Sequence, residues 1–214
     1  MYSPQQFEET RLSVLHELIR SHPFGTFVIL AGNELSANHF PFLIHPNEGE
    51  KGKLCGHVAR ANPVWKQFAT GVEALAIFQG PESYITPSWY PSKHADGKAV
   101  PTWNYAVVHA YGKARAIEDA NWLLEHVTQL TAVHEAGQAL PWQVSDAPKD
   151  YTEQMIRRIV GIEIPISKLQ GKWKVNQNRR PADRLGVAAG LESQATDRSR
   201  AMAELVMERA KSPS

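Results

Sequence analysis

Between residues 24 and 117 the chain contains a closely spaced series of segments that are typical of β-strands, largely without intervening helical patterns. Apolar, β-branched and aromatic residues dominate these segments, and turn-forming residues such as Gly32-Asn33 separate them. The predicted strands are FGTFVIL, ELSANHFPFLIH, KLCGHVA, EALAIFQG, SYIT and WNYAVVHAYGKARAI. Strands at this density favour an antiparallel sheet that closes into a barrel of about six strands.

Helical patterns flank this region at both ends. Ser3, Pro4 and Gln6 have the spacing of an N-cap, a first-turn proline and a capping-box partner, which predicts a helix that ends at His22-Pro23. Further helices are predicted over residues 119–136 and 151–157, and a last strand over IVGIEIPISKLQGKWKV. The tail from residue 181 is helical by composition, so the predicted fold class is mainly β with flanking helices (α+β).

Composition excludes several classes of protein. The 214 residues include one cysteine, Cys55, so an internal disulfide framework is excluded. The first ten residues lack the basic head and apolar run of a signal peptide, and no window has the roughly 20 apolar residues of a membrane span. We therefore expect a cytoplasmic protein. HExxH, CxxC, Walker A, GxGxxG and GxSxG patterns are absent from the sequence, so no metal ligand and no catalytic residue is assigned.

The segment GHVARANPVW, residues 56–65, is the first candidate site. Asn62 followed by Pro63 predicts the N-cap and first residue of a helix, and Arg60 lies two residues before the cap. Free amides at a helix entrance together with a planar guanidinium can hold a phosphate. The same residues also fit a plain strand-to-helix turn with a solvent-exposed arginine.

Two further segments carry alternative interpretations. Residues 84–105 contain five aromatic side chains and three prolines, which fits either a loop folded on its own core or a cover over a planar ligand or partner subunit. Residues 168–184 contain six basic residues and one acidic residue, which fits either a solvated face or a nucleic-acid contact. In the strand before residue 117, one face is built from small residues, which lets another backbone or a flat ligand approach closely.

Four separated blocks together resemble one known family. They are GHVARANPVW, YITPSWYPSK, VPTWNYAVVHAYG and KVNQNRRPADRLGVAAGL, in this order and at matching separations. Over nearly its whole length, the chain resembles the PaiB-like FMN-binding negative transcriptional regulators.

This resemblance implies an FMN-binding split β-barrel, related to pyridoxamine-phosphate oxidases and flavin reductases, that forms a homodimer with FMN at the interface. It implies that residues 60–62 hold the FMN phosphate and that the aromatic segment lies beside the isoalloxazine ring or the dimer seam. The cofactor-binding residues implied in this way are His57, Arg60, Asn62, Trp89, Trp103, Asn104, Tyr105, Gln177 and Arg179.

The resemblance leaves two functions open. One is a dimeric FMN-binding regulator of transcription that responds to flavin or to redox state, although the sequence shows no clear DNA-reading motif. The alternative is an FMN-dependent oxidoreductase acting on a small molecule, with a haem-binding split barrel as a variant. In either case we expect a split-barrel domain with its N-terminal helix over residues 1–178, and a helical extension over residues 179–214 packed on the barrel or on the partner subunit.

Overall fold

The structure is a computed structural model that describes residues 1–68, 71–93 and 97–211. Its strands are β1 (Glu8–Glu9), β2 (Phe24–Ala31), β3 (Glu34–Pro41), β4 (Leu43–His45), β5 (Lys53–Ala59), β6 (Val72–Ile85), β7 (Thr102–Ile117) and β8 (Ile159–Lys174). Its α-helices are α1 (Leu12–Ser21), α2 (Ala120–Glu135), α3 (Lys149–Ile156), α4 (Pro181–Ser193) and α5 (Asp197–Lys211). Short 3-10 helices occupy Gln5–Phe7, Pro63–Phe68, Pro87–Trp89 and Val144–Asp146. Among the helices of these described ranges, none is both long and apolar enough to cross a membrane.

The strands form one sheet in the order β3-β2-β6-β7-β8-β5-β4, and β1 pairs with β8. The pairs β1–β8, β2–β3, β2–β6, β4–β5 and β5–β8 are all antiparallel. The antiparallel, mainly β fold that the sequence predicts is therefore confirmed.

Two predicted strand boundaries were wrong, and proline is involved in both. The predicted strand over residues 34–45 is two strands, because β3 ends at Pro41 and the Phe42 amide donates to Pro23 O at 2.9 Å instead of to a neighbouring strand. The predicted strands over residues 73–80 and 83–86 are joined as β6, which contains Pro81. β6 pairs with β2 over residues 74–77, so the missing N–H of Pro81 lies beyond that pairing and breaks none of its bonds.

The first α-helix begins at Leu12, eight residues later than predicted. Residues 5–7 form a 3-10 turn that buries Phe7, and the Phe7 amide donates to Pro4 O at 2.8 Å. Glu8 and Glu9 then pair with β8 opposite Lys172 and Gly171. Since this pairing requires an extended backbone, the capping pattern at Ser3 cannot propagate into an α-helix.

The chain divides into two compact units. The first unit contains Met1–Leu18, Gln79–Val108 and Gln170–Ser214, and the second contains Ile19–Phe78 and His109–Leu169. In the second unit the rings of Phe40, Phe42 and Phe78 pack in series, with centroids 4.5 and 5.6 Å apart. In the first unit α4 packs on α5, and Val187, Leu191 and Val206 are fully buried.

The small-residue face of β7 is buried at Ala106, Val108, Ala110, Gly112 and Ala114. A side chain at Gly112 would place its Cβ 2.2 Å from Pro165 O. The small residue at position 112 therefore allows close approach of another backbone, that of β8.

Candidate functional site

The turn after β5, in the second unit, has the cap that the sequence predicts. Asn62 Oδ1 accepts a hydrogen bond from the Val64 amide at 3.0 Å, and the Asn62 amide group donates to Asn38 Oδ1 at 2.8 Å. The helix that begins at Pro63 is a 3-10 helix of six residues, which is too short to provide much dipole. The positive charge of this entrance must therefore come mainly from side chains.

Arg60 provides that charge, and its guanidinium is held by three acceptors. Nε donates to Arg157 O at 2.9 Å, Nη2 donates to Ile159 O at 3.2 Å, and Nη1 donates to the Glu118 carboxylate. The two carbonyls fix the orientation of the group, whereas Glu118 neutralises it from a half-exposed position. Because an exposed ion pair is worth about 1 kcal/mol or less, a phosphate dianion can replace Glu118 at this guanidinium.

A cavity of 430 Å³, called here the first cavity, lies beside Asn62. Its lining includes His57 of β5, together with Phe24 and His39, whose rings stack at 6.4 Å with an interplanar angle of 24°. This volume falls within the range of small-molecule sites, and flat side chains suit a planar ligand.

His57 joins a second polar site in the same unit. Its Nδ1 lies 3.2 Å from Nε2 of His126 on α2, and the indole ring of Trp122 stacks on His126 with centroids 5.2 Å apart. His126 lines a separate cavity of 250 Å³, called here the second cavity. Burial lowers the pKa of His57, and burial together with the nearby charges of His57 and His45 lowers the pKa of His126 to about 4. Both rings are therefore neutral near pH 7.

The second cavity borders an ion-pair network on β5 and β8. Lys53 Nζ lies 2.5 Å from Glu48 and 2.7 Å from Glu163, and Arg115 also binds Glu163. Burial raises the pKa of the Glu163 carboxyl, but the hydrogen bonds from Lys53 and Arg115 outweigh this effect and hold it below its usual value. Burial raises the pKa of the Cys55 thiol to about 12, so this thiol is a poor nucleophile.

In the first unit a buried polar cluster forms around Asn104. The Asn104 amide group donates to Asn176 Oδ1, and the Asn176 amide group donates to the Tyr90 hydroxyl at 3.1 Å. The guanidinium of Arg179 lies 5.1 Å from the centre of the Tyr90 ring. Asn104 is 1% exposed, and its Oδ1 has no hydrogen-bond partner in the part of the chain that the structure describes. Leaving a buried acceptor unpartnered costs about 1–3 kcal/mol, so this oxygen is the least satisfied group of the cluster.

Gln177 and two lysines of the basic segment are used within the first unit. The Gln177 side chain accepts from the Val175 amide at 2.8 Å and donates to Trp173 O. Lys174 donates to the Thr102 hydroxyl at 2.5 Å, and Lys172, 9% exposed, lies 5.4 Å from the centre of the Tyr105 ring. This part of the predicted basic patch therefore faces protein groups as well as solvent.

The tryptophans of the aromatic segment differ in environment. Trp89 packs on α4, where a Cβ at Gly190 would lie 2.3 Å from its ring and a Cβ at Gly186 would lie 2.1 Å from its carbonyl oxygen. Trp103 donates from Nε1 to Glu82 and remains 49% exposed, in edge-to-face contact with the equally exposed Tyr84. Trp89 thus has a packing role on its own chain, whereas Trp103 presents apolar surface.

The nine predicted residues divide between the two units. His57, Arg60 and Asn62 lie around the turn after β5 in the second unit. Asn104 and Arg179 belong to the polar cluster of the first unit. Elsewhere in the same unit lie Trp89, Trp103, Tyr105 and Gln177. Sequence reasoning missed Glu118, His126, Trp122, Tyr90 and Asn176. Trp122 and His126 have the i, i+4 spacing of one helix face, which is a local signal. Glu118, Tyr90 and Asn176 give no such signal, because their partners lie 58 to 86 positions away.

Two solved structures share this architecture. The FAD and heme binding protein from Mycobacterium smegmatis superposes with a TM-score of 0.58 at 14% identity, covering 78% of this chain and 73% of that chain. The flavocytochrome Anf3 from Azotobacter vinelandii superposes with a TM-score of 0.55 at 11% identity, covering 78% and 69%. The fold is thus an α+β split β-barrel, as the sequence predicts.

Sequence comparison identifies the family. Residues 1–168 match the family described as "Putative FMN-binding domain". The chain is 31% identical to the protease synthase and sporulation protein PAI 2 of Bacillus subtilis, with 99% of both chains covered. It is 35% identical to an uncharacterized protein of Emericella nidulans, covering 98% of this chain and 97% of that one. The chain belongs to this FMN-binding family, and its cofactor is FMN.

Proposed function

We propose that the protein is an FMN-binding homodimer that acts as a regulator of the PaiB type and responds to flavin binding or to flavin redox state. The observation that carries the flavin site is the guanidinium of Arg60, which is fixed by two backbone carbonyls at the turn capped by Asn62. One of these carbonyls belongs to Ile159, which lines the first cavity together with Asn62. Membership of the family identifies the cofactor as FMN, and the name of the Bacillus subtilis relative supports a regulatory role.

The described side chains at the turn after β5 fit the phosphate of FMN. Arg60 would hold the phosphate in place of Glu118, with Asn62 fixing the turn and His57 lining the adjacent cavity. When bound, flavin supplies hydride and electron transfer, and the protein supplies binding and orientation.

The visible spectrum of freshly purified protein tests the cofactor. We expect flavin absorption bands without a haem band, and mass spectrometry after denaturation should identify the released ligand as FMN. A haem band would support the haem-binding alternative, and apoprotein that binds no added FMN would contradict the proposal.

Exposed apolar side chains support the homodimer. Tyr84 and Trp103 are each 49% exposed in the first unit, and Phe24 and Leu35 are 67% and 78% exposed in the second. Contiguous exposed apolar surface, such as the contacting pair Tyr84 and Trp103, commonly marks an interaction surface. Ligand bound across a subunit interface stabilises the assembled state by mass action. Analytical ultracentrifugation should therefore show a dimer that FMN stabilises, and a monomer at micromolar concentration with tight FMN binding would contradict this.

The basic segment over residues 168–184 has two alternative roles, which are direct DNA binding and support of the cofactor or the dimer interface. Lys172 and Lys174 contact protein groups and Arg179 lies over Tyr90, so we propose that the segment serves the cofactor or the dimer interface. The helical extension over residues 179–214 would then support the same region.

The double variant Arg179→Ala/Arg180→Ala tests this assignment. It should weaken FMN binding, and the parent protein should show no specific DNA binding. Weaker DNA binding with intact flavin affinity, and a salt slope shallower by about 0.9 per lost phosphate contact, would favour direct DNA binding instead. Turnover with a reduced nicotinamide would favour the oxidoreductase alternative.

A further inference from the structure

We propose that His57 and His126 form a proton relay between the first cavity, where the flavin site is placed, and the second cavity. This inference rests on the proposed function for the identity of the ligand in the first cavity. His57 lines the first cavity, His126 lines the second, and their facing nitrogens are 3.2 Å apart. The pair thus connects two cavities through one hydrogen bond.

The ring of His126 is held in a defined orientation. Trp122 stacks on it with an interplanar angle of 16°, and Trp122 itself sits over Gly161, where a Cβ would lie 2.3 Å from the indole ring. A side chain at residue 161 would displace Trp122, so the glycine permits the arrangement.

The free nitrogen of His126 is the observation that a packing role does not explain. His126 is 4% exposed, and its Nδ1 has no hydrogen-bond partner among residues 1–68, 71–93 and 97–211. Leaving such a group unpaired costs about 1–3 kcal/mol, which an apolar ring at this position would avoid. Within the same ranges no set of three or more His, Cys, Asp or Glu side chains is arranged to hold a metal ion. A proton donor or acceptor in the second cavity would use this nitrogen.

Proton transfer through the pair balances at every atom. A base in the first cavity takes the proton of His57 Nε2, His57 Nδ1 takes the proton of His126 Nε2, and His126 Nδ1 gains a proton from the second cavity. Each ring loses and gains one N–H bond and remains neutral, and the reverse sequence releases a proton. Neutral imidazole is required because it both donates and accepts, whereas the charged ring only donates.

Charged and titratable groups from several elements surround the second cavity. They are His45 on β4, Glu48 in the following turn, Lys53 and Cys55 on β5, and Glu125 on α2. Lys53 is engaged by Glu48 and Glu163, and the Cys55 thiol has a raised pKa. His45 Nδ1 lies 3.4 Å from Glu48, so water entering the cavity is the proton source for His126 Nδ1.

The relay is tested by measuring proton release directly. FMN-loaded protein is photoreduced and then oxidised with ferricyanide, which accepts electrons without protons, in weak buffer containing a pH indicator. In the parent protein, proton release should follow flavin oxidation. In His126→Phe, which keeps an aromatic ring under Trp122, proton release should be at least about tenfold slower while FMN affinity stays within about twofold. His134→Gln, on the exposed part of α2, is the matched control and should behave as the parent.

Chemical rescue separates a relay from a packing role. Imidazole added to His126→Ala should restore fast proton release, because a diffusing base can replace the missing ring. Unchanged proton release in His126→Phe, or a slow release that imidazole does not restore, would overturn the relay.

A measurement on apoprotein distinguishes failure of the relay from failure of the proposed function, because it needs no flavin. Nitrogen NMR of histidine-labelled apoprotein should show both rings neutral at pH 7 and one proton shared between His57 Nδ1 and His126 Nε2. Loss of this signal in His126→Phe is expected, and its absence from the parent would overturn the pair as a relay. Failure of the parent to bind FMN would instead overturn the proposed function.

Discussion

The Arg60 end of the candidate flavin site and the Asn104 cluster are built from different interactions. Arg60 is a partly exposed cation whose guanidinium is fixed by two backbone carbonyls and neutralised by a replaceable carboxylate. Asn104 is a buried neutral group that donates to Asn176, and its Oδ1 has no hydrogen-bond partner among the described residues. The first arrangement suits exchange of one anion for another, whereas the second suits a fixed hydrogen bond in a dry environment.

This difference in construction predicts which property a substitution in each region will change. Substitutions at the Arg60 end should change ligand affinity with little change in stability, because its ion pair is half exposed. Substitutions in the Asn104 cluster should change the free energy of unfolding even without ligand, because buried hydrogen-bonding groups lose their partners.

Charge reversal at Arg60 is expected to have the largest effect. Arg60→Glu replaces attraction for the phosphate with repulsion and should weaken FMN binding by about 1.5–3 kcal/mol, roughly ten- to a hundredfold. Titration of the apo variant with FMN measures this. Arg158→Glu, an exposed neighbouring residue, is the control and should bind FMN nearly as the parent does. Equal affinities of parent and Arg60→Glu would place the phosphate elsewhere.

Asn104→Ala should lower the free energy of unfolding of the apoprotein by about 2 kcal/mol, because it leaves Asn176 Oδ1 without its donor in a buried site. Urea denaturation of the parent and variant gives the difference. Asn178→Ala, an exposed position two residues after Asn176, should shift the midpoint little. If both variants were equally stable, the cluster would not be a stabilising network.

The pH dependence of stability between pH 4 and 6.5 should reside mainly in the second unit. His126 has a pKa of about 4 in the folded chain, below the value of about 6.5 expected when unfolded, so the unfolded state binds more protons between these values. Stability is therefore complete above pH 6.5 and falls as the pH decreases toward 4, by about 2 kcal/mol at pH 5.

Urea midpoints at pH 7.5 and pH 5 measure this loss. The difference between the urea midpoints at the two pH values should be smaller in His126→Phe, because this variant lacks the imidazole that titrates. Asn104→Ala should keep the parent's pH dependence, since its cluster contains neither a carboxyl nor an imidazole group. An unchanged pH dependence in His126→Phe would show that His126 titrates normally.

The smallest expected effect is a gain in FMN affinity, opposite in sign to the loss expected for Arg60→Glu. Glu118→Gln removes the carboxylate that occupies Arg60, so FMN should bind about threefold more tightly, which corresponds to less than 1 kcal/mol. FMN titration again provides the measurement, with Glu153→Gln on the exposed side of α3 as the control. Weaker binding in Glu118→Gln would mean that Glu118 supports the site instead of competing with the phosphate.

Sequence patterns predicted the features that depend on neighbouring residues. The strands β2, β5, β7 and β8 and the cap at Asn62 follow from local periodicity and turn chemistry, and each was confirmed within a few residues. The start of α1 was wrong, because burial of Phe7 and pairing of β1 with β8 override a local capping pattern.

The contacts that complete the site could not be predicted in this way. His57 meets His126 across 69 positions, Arg60 meets Glu118 across 58, and Asn104 meets Asn176 across 72. One local signal was available at Asn176, whose φ of +63° is a conformation that asparagine adopts more readily than most residues. That signal indicates a sharp turn after β8, but it does not identify Asn104 as the partner.

The central claim is that Arg60 recognises the phosphate of FMN, and the affinity ratio of riboflavin to FMN tests it most directly. Riboflavin has the same ring without the phosphate, so effects on the ring site cancel in the ratio. The parent protein should bind FMN at least about tenfold more tightly than riboflavin, and Arg60→Glu should abolish this preference. The same preference in both proteins would contradict the account.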